Sequence, residues 1–314
     1  MRIAFVFPGQ GSQSVGMLNG FAGNPSVEAA VRTADEALGS PISTLIAEGP
    51  AADLGLTVNT QPALLLASAA FYQAWIAAGG PKPEVMAGHS LGEYSALCCA
   101  GAFSLAEGVK LVRFRAEAMQ SAVPVGMGGM AAIIGLADED VEAVCREAAA
   151  SGAGVVEAVN YNSPGQVVIA GEKAALEKAV ELAKAKGCRR AIPLAVSAPF
   201  HSSLLKPAAE KLAARLAQTP IAAPQIPVIA NVDVEIHCEP DAIRNALALQ
   251  ACHAVQWVKT IRRMKDEGVT DIVECGPGKV LAGLIRRIDP EIRTYNFADE
   301  ASLKAAIEKL AAAA

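Results

Sequence analysis

The 314-residue sequence lacks three features that mark common classes of protein. Its formal net charge is only −5, which argues against a general nucleic-acid binder. None of its seven cysteines forms a Cys-x-x-Cys pair, so no metal site is indicated and buried thiols in a reducing compartment are expected. The most apolar stretch, residues 63–78, is short for a membrane span, and no signal peptide opens the chain. These absences predict a soluble, cytoplasmic protein.

Aromatic residues are also scarce, at 4%, although hydrophobic residues make up 52% of the chain. A composition rich in Ala and Gly suits helices packed closely on a sheet. Strand patterns alternate with helical ones, which predicts an α/β fold with a mostly parallel sheet. The predicted strands lie at 3–7, 85–87, 226–230 and 269–274, and the predicted helices at 26–38, 63–78, 91–100, 105–121, 202–217, within 240–267, at 279–287 and from about 300.

The middle of the chain has a different pattern. Two consecutive strand–helix–strand units give the order β-α-β-β-α-β. This is the ferredoxin-like pattern. A glycine-rich run at 126–129 and the pair Ala198-Pro199 bracket it as hinges. We therefore predict a large subdomain of residues 1–125 and 198–314 and a small ferredoxin-like subdomain of residues 126–197. Its predicted strands are 130–136, 155–160, 166–170 and 189–196, and its helices 138–150 and 172–186.

A pentapeptide of the Gly-x-Ser-x-Gly type, Gly88-His89-Ser90-Leu91-Gly92, follows a predicted strand and opens a predicted helix. That is the context of a nucleophile elbow, in which small residues permit a sharp turn that lifts the serine hydroxyl out of the sheet edge. The helix N-terminus beneath it offers free N–H groups to a developing oxyanion. Ser90 is therefore the candidate nucleophile, although a tight turn with an idle serine would show the same pattern.

A serine nucleophile requires a base, and the chain has four histidines. His89 should point away from Ser90 because of the turn, His237 lies in a polar loop, and His253 lies at an ambiguous helix junction. His201 follows a predicted strand and precedes a helix, where a catalytic group at a sheet edge would stand. Position therefore favours His201, and no Asp or Glu stands out as the acid of a triad.

The helix predicted from residue 105 carries an arginine on its apolar side. Arg115 follows Leu111 and Val112 by four and three residues and precedes Met119 by four, so it should be buried. A buried guanidinium is costly unless it is paired, and its fork suits a carboxylate. Two interpretations stay open, an internal ion pair and a site for the free carboxylate of a substrate.

Several longer segments resemble the malonyl-CoA:acyl carrier protein transacylases of bacterial type II fatty-acid synthesis. The similarity runs over essentially the whole chain and implies an α/β-hydrolase-like core with an inserted ferredoxin-like subdomain. The sequence departs from the family near residue 254, where Ala254 stands in place of the usual proline. The segments are FVFPGQGSQ at 5–13, TQPA at 60–63, AGHSLGEY at 87–94, NSPGQVVIAG at 162–171 and CGPGK at 275–279.

The resemblance also implies roles for individual residues. The elbow serine and His201 would form a dyad rather than a triad, with His201 oriented by the main-chain carbonyl of Gln250. Main-chain N–H groups of Gln10 and Leu91 would form the oxyanion hole. Arg115, already selected from the helix pattern, would bind the carboxylate of the acyl group.

The activity that the resemblance implies is acyl transfer without a cofactor or metal. Malonyl-CoA would acylate Ser90, and the phosphopantetheine thiol of an acyl carrier protein would then accept the malonyl group by ping-pong catalysis. We expect a monomer that binds neither nucleic acid nor membrane, with one of three arginine pairs facing the acidic carrier. The alternatives are a serine esterase or thioesterase, a malonyl transferase of a polyketide or malonate-decarboxylase system, and an inactive binding scaffold. The pairs are Arg189-Arg190, Arg262-Arg263 and Arg286-Arg287.

Overall fold

The computed structural model describes residues 2–196 and 198–313. The strands in these ranges form two separate sheets. The strands are β1 (Ile3–Phe7), β2 (Val85–Gly88), β3 (Gly128–Ile134), β4 (Val156–Ser163), β5 (Gln166–Glu172), β6 (Arg190–Pro193), β7 (Val228–Ile229), β8 (Asp271–Glu274) and β9 (Arg293–Asn296).

Helices precede and follow most of these strands. The α-helices are α1 (Pro25–Leu38), α2 (Ile42–Glu48), α3 (Ala51–Leu54), α4 (Thr57–Ala77), α5 (Leu91–Cys99), α6 (Leu105–Ser121), α7 (Asp138–Ala148), α8 (Lys173–Ala185), α9 (Lys206–Ala217), α10 (Pro240–Gln250), α11 (Trp257–Asp266), α12 (Val280–Ile288) and α13 (Glu300–Ala312).

The larger sheet has five parallel strands in the order β7-β2-β1-β8-β9. Alternate side chains of its central strand β1 enter different cores, as the period of two in a strand requires. Phe5 and Phe7 pack with residues of α1, α4 and α5, whereas Ala4 and Val6 pack with residues of α11 and α12. Burial on both faces explains the continuous apolar run of β1. The predicted α/β class with a parallel sheet is confirmed.

The smaller sheet is antiparallel, with the order β4-β5-β3-β6. Helices α7 and α8 share an apolar core with one face, and residues of α6 and α9 share a core with the other. This strand order, with one helix in each β-α-β unit, confirms the predicted ferredoxin-like pattern. The subdomain limits stay a prediction, and three of them, Met1, Ser197 and Ala314, lie outside the described residues.

The structure departs from the predicted elements in two places that matter later. Helix α4 begins at Thr57 rather than at residue 63, so that Pro62 lies inside the helix. The edge strand β9 had not been predicted, and it pairs with β8 from Asp271↔Arg293 onward. Within the described ranges, no helix combines the length and apolar character needed to cross a lipid bilayer.

Candidate active site

The predicted elbow is a sharp turn between β2 and α5. Ser90 occupies it with φ 52° and ψ −110°, a backbone conformation that costs energy for a residue other than glycine. A Cβ atom on Gly88 would lie 1.8 Å from the carbonyl carbon of Gly92, and one on Gly92 would lie 2.0 Å from the oxygen of Phe7. The two glycines of the pentapeptide are therefore required for the turn to pack against β1.

The structure brings Ser90 and His201 together across 111 positions of the sequence. The Ser90 hydroxyl lies 2.7 Å from His201 Nε2, and His201 Nδ1 donates to the main-chain oxygen of Gln250 at 2.7 Å. Burial, followed by the charge of Arg115, lowers the pKa of His201 to about 3. The imidazole is therefore neutral near pH 7, with Nε2 free to accept the serine proton.

The other three histidines have different partners. His89 Nε2 lies 2.7 Å from the side-chain oxygen of Asn162, and the His89 ring packs 5.5 Å from that of Trp257. His237 pairs with the Asp233 carboxylate on the surface. His253 Nδ1 bonds the main-chain oxygen of Leu249. None of these contacts orients a ring nitrogen toward the elbow serine.

Arg115 is 1% exposed and has only uncharged partners in the described ranges. Its Nη1 donates to Gln61 Oε1 at 2.8 Å, and its Nη2 donates to Gln250 Oε1 at 2.8 Å and to Ser90 Oγ at 3.1 Å. The guanidinium also lies 5.1 Å from the centre of the Tyr94 ring. No carboxylate of residues 2–196 or 198–313 is within ion-pair distance of it. The structure therefore excludes the internal ion pair among these residues.

Three further residues complete the network, and none of them had been predicted as a site residue. The Gln61 amide holds Arg115. Asn231 Oδ1 accepts the Ser90 N–H at 2.8 Å. Glu93 Oε2 accepts from Asn231 N at 2.9 Å and from Gln250 Nε2 at 2.8 Å. Gln61 and Asn231 are distant from Ser90 in the sequence, and Glu93 is close to it but meets Gln250 across 157 positions, so only the folded structure reveals their contacts.

The site opens into a small cavity of about 130 Å³ between the two sheets. Pockets for drug-sized ligands are larger, roughly 300–1,000 Å³, so this one suits a small acyl group rather than a whole coenzyme. A groove of about 880 Å³ at the other end of α5, near Cys98 and Phe103, contains no serine–histidine pair. The apolar residues that line the small cavity are Leu91, Met119, Met130, Leu194, Val196 and Phe200.

The two residues predicted for the oxyanion hole, Gln10 and Leu91, also line this cavity. Leu91 is the first residue of α5, so its N–H has no carbonyl partner inside the helix. Gln10 lies in the loop after β1, the strand that neighbours β2. Both positions therefore adjoin the elbow serine, and their roles remain predictions.

The described residues offer no cluster that resembles a metal site. No group of three or more His, Cys, Asp or Glu side chains in residues 2–196 and 198–313 converges as metal ligands would. All seven cysteines are free thiols, and burial raises the pKa of Cys98 to about 12. The chemistry available here is that of a serine, a neutral imidazole and a buried cation.

Comparisons with known proteins agree with this set of groups. The acyl transferase domain family matches residues 4–287. The malonyl CoA-acyl carrier protein transacylase of Escherichia coli strain K12 is 51% identical over 308 residues, which are 98% of this chain and 99% of that protein. The crystal structure of the acyl-carrier-protein S-malonyltransferase of Burkholderia pseudomallei 1710b has 57% sequence identity and a TM-score of 0.96, covering 98% and 100% of the two chains. A malonyl-transacylase in complex with its type II PKS acyl-carrier protein has 47% identity and a TM-score of 0.96, covering 98% and 100%.

Proposed function

The chain belongs to the acyl transferase family, among the malonyl CoA-acyl carrier protein transacylases, and on that premise we propose that it moves malonyl groups from malonyl-CoA to the phosphopantetheine thiol of an acyl carrier protein through an ester on Ser90. One observation carries the choice of acyl group. Arg115 is a buried cation without a carboxylate partner in the described ranges, and its Nη2 lies 3.1 Å from Ser90 Oγ. A malonyl thioester supplies both a carbonyl for the serine and a free carboxylate for the guanidinium.

The first half-reaction loads the enzyme. His201 Nε2 takes the Ser90 proton as Oγ attacks the thioester carbonyl, giving a tetrahedral oxyanion that the N–H groups of Gln10 and Leu91 stabilise. When the intermediate collapses, the carbon–sulfur bond breaks and the imidazolium returns the proton to the departing CoA thiolate. The product is a malonyl-serine ester and a neutral His201.

The second half-reaction uses the same groups in the opposite direction. The carrier's pantetheine thiol gives its proton to His201 Nε2 as the sulfur attacks the ester carbonyl. The carbon–oxygen bond to Ser90 then breaks, and Oγ takes the proton back from the imidazolium. The Gln250 carbonyl holds the Nδ1–H of His201 throughout, so that Nε2 always faces the reacting atoms.

The cavity walls support a preference for malonyl over larger acyl groups. Phe200 is 8% exposed, precedes the base and lines the cavity together with Met130. A ring in that place leaves little space for a substituent on the malonyl α-carbon. Small size and apolar walls also limit access of water, which would otherwise hydrolyse the ester.

A simple serine esterase explains fewer of these features. An esterase shares the elbow and the histidine, but its acyl pocket has no use for a buried guanidinium. A guanidinium that two glutamine amides hold beside the nucleophile suits an acyl group with a negative charge.

The docking site of the carrier belongs to the same proposal. Carrier proteins of this kind are acidic, so a basic surface should receive them. Arg263 is already bonded to Glu235 and Glu267, which makes the Arg262-Arg263 pair a poorer candidate. Arg189-Arg190 and Arg286-Arg287 are exposed and have no ion-pair partner in the described ranges, so we favour these two pairs.

The deciding experiment is intact-protein mass spectrometry after incubation with malonyl-CoA, acetyl-CoA or methylmalonyl-CoA. We expect a malonyl adduct that peptide mapping places on Ser90 and that disappears when holo carrier protein is added. Ser90→Ala should form no adduct and should lose transfer by about 10⁴-fold or more, because no other group replaces the nucleophile.

The matched control is Ser95→Ala, which removes a buried hydroxyl from the same helix. It should keep the adduct. A malonyl adduct that persists in Ser90→Ala, or wild-type enzyme that loads acetyl as readily as malonyl, contradicts the proposed function.

A further inference from the structure

Glu93 is a buried carboxylate that the proposed chemistry does not use. It lies three residues after Ser90 on the first turn of α5 and is 2% exposed. No Lys, Arg or His of the described ranges forms an ion pair with it. Burying a carboxylate is costly, so a neutral residue would be expected here unless the oxygens perform a task.

The two partners of Glu93 are both connected to the reacting groups. One oxygen, Oε2, accepts from the side-chain nitrogen of Gln250 at 2.8 Å and from the main-chain nitrogen of Asn231 at 2.9 Å. Gln250 bonds His201 through its main-chain oxygen and Arg115 through Oε1. Asn231 accepts the N–H of the elbow serine. One carboxylate therefore contacts two residues that hold the nucleophile, its base and the acyl-binding cation.

The hydrogen bond between Glu93 and Gln250 bears on which way the Gln250 amide faces. An amide has an accepting end and a donating end, and a guanidinium has only donors. If the amide turned over, its NH₂ group would face Arg115 and the guanidinium would lose an acceptor. Burial raises the pKa of Glu93 to about 7, so the carboxylate form, which only accepts hydrogen bonds, is the main form above that pH. In the structure Glu93 Oε2 accepts from the NH₂ end of Gln250 at 2.8 Å, and the main-chain oxygen of Ser90 accepts from the same group at 3.0 Å. The accepting end is then left for Arg115.

We propose that Glu93 is a positioning residue that fixes the Gln250 amide and thereby holds Arg115 in place for the carboxylate of the acyl group. The inference rests on the proposed function, since it presumes that Arg115 binds a carboxylate. Its effect passes through Arg115, so it should depend on whether the acyl group has a carboxylate. Malonyl has one and acetyl does not.

The test compares two substitutions of Glu93, one that changes the charge of the side chain and one that changes its length. Glu93→Gln keeps the length of the side chain and an accepting oxygen but removes the charge. Glu93→Asp keeps the charge but is shorter by one methylene, so its oxygen no longer reaches Gln250. The measurement is the ratio of kcat/KM for malonyl-CoA to that for acetyl-CoA, with KM and kcat reported separately.

If Glu93 is a positioning residue, the malonyl-to-acetyl ratio of kcat/KM should be highest for wild type, intermediate for Glu93→Gln and lowest for Glu93→Asp. We expect Glu93→Asp to lower the ratio about tenfold, chiefly through a higher KM for malonyl-CoA, as the loss of one hydrogen bond to a charged group would do. Glu93→Gln should recover most of the loss. If Glu93 instead served as a counter-ion for Arg115, Glu93→Asp would be the better enzyme, and the inference would be wrong.

A matched control is Glu274→Gln, which neutralises another buried carboxylate. Glu274 is 1% exposed and accepts the N–H groups of Leu281 and Ala282 at the start of α12. Its substitution should lower the Tm without changing the malonyl-to-acetyl ratio. Glu93 variants that lose both substrates by the same factor, as a variant with a merely structural defect would, overturn the inference. Failure of wild type to form the malonyl-serine adduct overturns the proposed function instead.

Discussion

The edge of the parallel sheet and the cavity beside Ser90 each bury a charged group, and they treat it in opposite ways. At the edge of the parallel sheet, Asp271 receives both Nε and Nη2 of Arg293 at 2.7 Å and the hydroxyl of Tyr295 at 2.9 Å. In the small cavity beside Ser90, Arg115 donates only to neutral oxygens and lies over an aromatic ring. A charge that is matched inside the chain joins β8 to β9. A charge that is left unmatched remains available to attract a ligand.

Removing the unmatched charge should have the largest effect on substrate choice. Arg115→Ala should lower the malonyl-to-acetyl ratio of kcat/KM by about 100-fold, since loss of a buried, hydrogen-bonded charge pair costs about 2–5 kcal/mol. The Tm should change little, because the lost hydrogen bonds are offset by relief from burying a cation. Steady-state kinetics with both donors and a thermal melt measure the two quantities.

Arg113→Ala is the control for this change, because Arg113 lies on the same helix and does not line the acyl cavity. It should leave the ratio unaltered. If Arg115→Ala still preferred malonyl, Arg115 would not bind the acyl carboxylate. The two buried charges would then not differ in function in this way.

A carboxylate placed next to Arg115 would give it an internal ion pair, like the one between Asp271 and Arg293 at the sheet edge. Gln61→Glu keeps the shape of the side chain whose oxygen lies 2.8 Å from Nη1 but gives the guanidinium an internal partner. We expect the kcat/KM for malonyl-CoA to fall about tenfold, mainly through KM, because the acyl carboxylate then competes with a charge already in place. Acetyl transfer should change much less.

Gln73→Glu adds the same charge to an exposed position of the same helix. It should not alter either substrate's kinetics. If Gln61→Glu retained full activity with malonyl-CoA, the absence of a negative charge on the residues that hold Arg115 would not matter for substrate binding.

Local sequence patterns were sufficient for the parts of the site that are made locally. The glycines of the elbow indicate the turn directly, because Gly88 must approach Gly92, and Gly92 must approach the backbone of β1. The periodicity of α6 placed Arg115 on the buried face, and the structure agrees. The alternation of strands and helices was likewise enough to predict both sheets.

Long-range pairing is what the sequence could not reveal. Arg115 meets Gln61 and Gln250 across 54 and 135 positions, so an ion pair and a substrate site could not be told apart beforehand. The predicted helix began at residue 63, after a mostly polar segment and Pro62, whereas in the structure the buried side chains of Thr57, Thr60 and Gln61 already belong to α4. Strand β9 is short and partly exposed, with no apolar run to mark it.

The smallest expected effect concerns the matched charge at the sheet edge. Burial raises the pKa of Asp271, but hydrogen bonds from Arg293, Thr270 and Tyr295 outweigh it, so the folded-state pKa lies below the ordinary value of 3.8. A depressed carboxyl pKa stabilises the fold above the unfolded-state value, and that stability is lost as the pH falls through the folded-state value. Asp271→Asn removes the ionisation, so it should lower the Tm at neutral pH by a few degrees without changing the malonyl-to-acetyl ratio.

The pH dependence of the Tm difference between wild type and Asp271→Asn distinguishes the effect of the Asp271 charge from the effect of its packing. The Tm gap between wild type and Asp271→Asn should be widest near pH 7. It should begin to narrow below about pH 4 and close as the pH falls through the depressed folded-state pKa, where Asp271 of the folded wild type takes up its proton and resembles the variant. Asp266→Asn, at an exposed position of α11, should show no gap at any pH. A gap that stays constant into acid would mean that Asp271 acts only through packing. A change in substrate preference would mean that the two charged regions are coupled, because only Arg115 should respond to the charge of the acyl group.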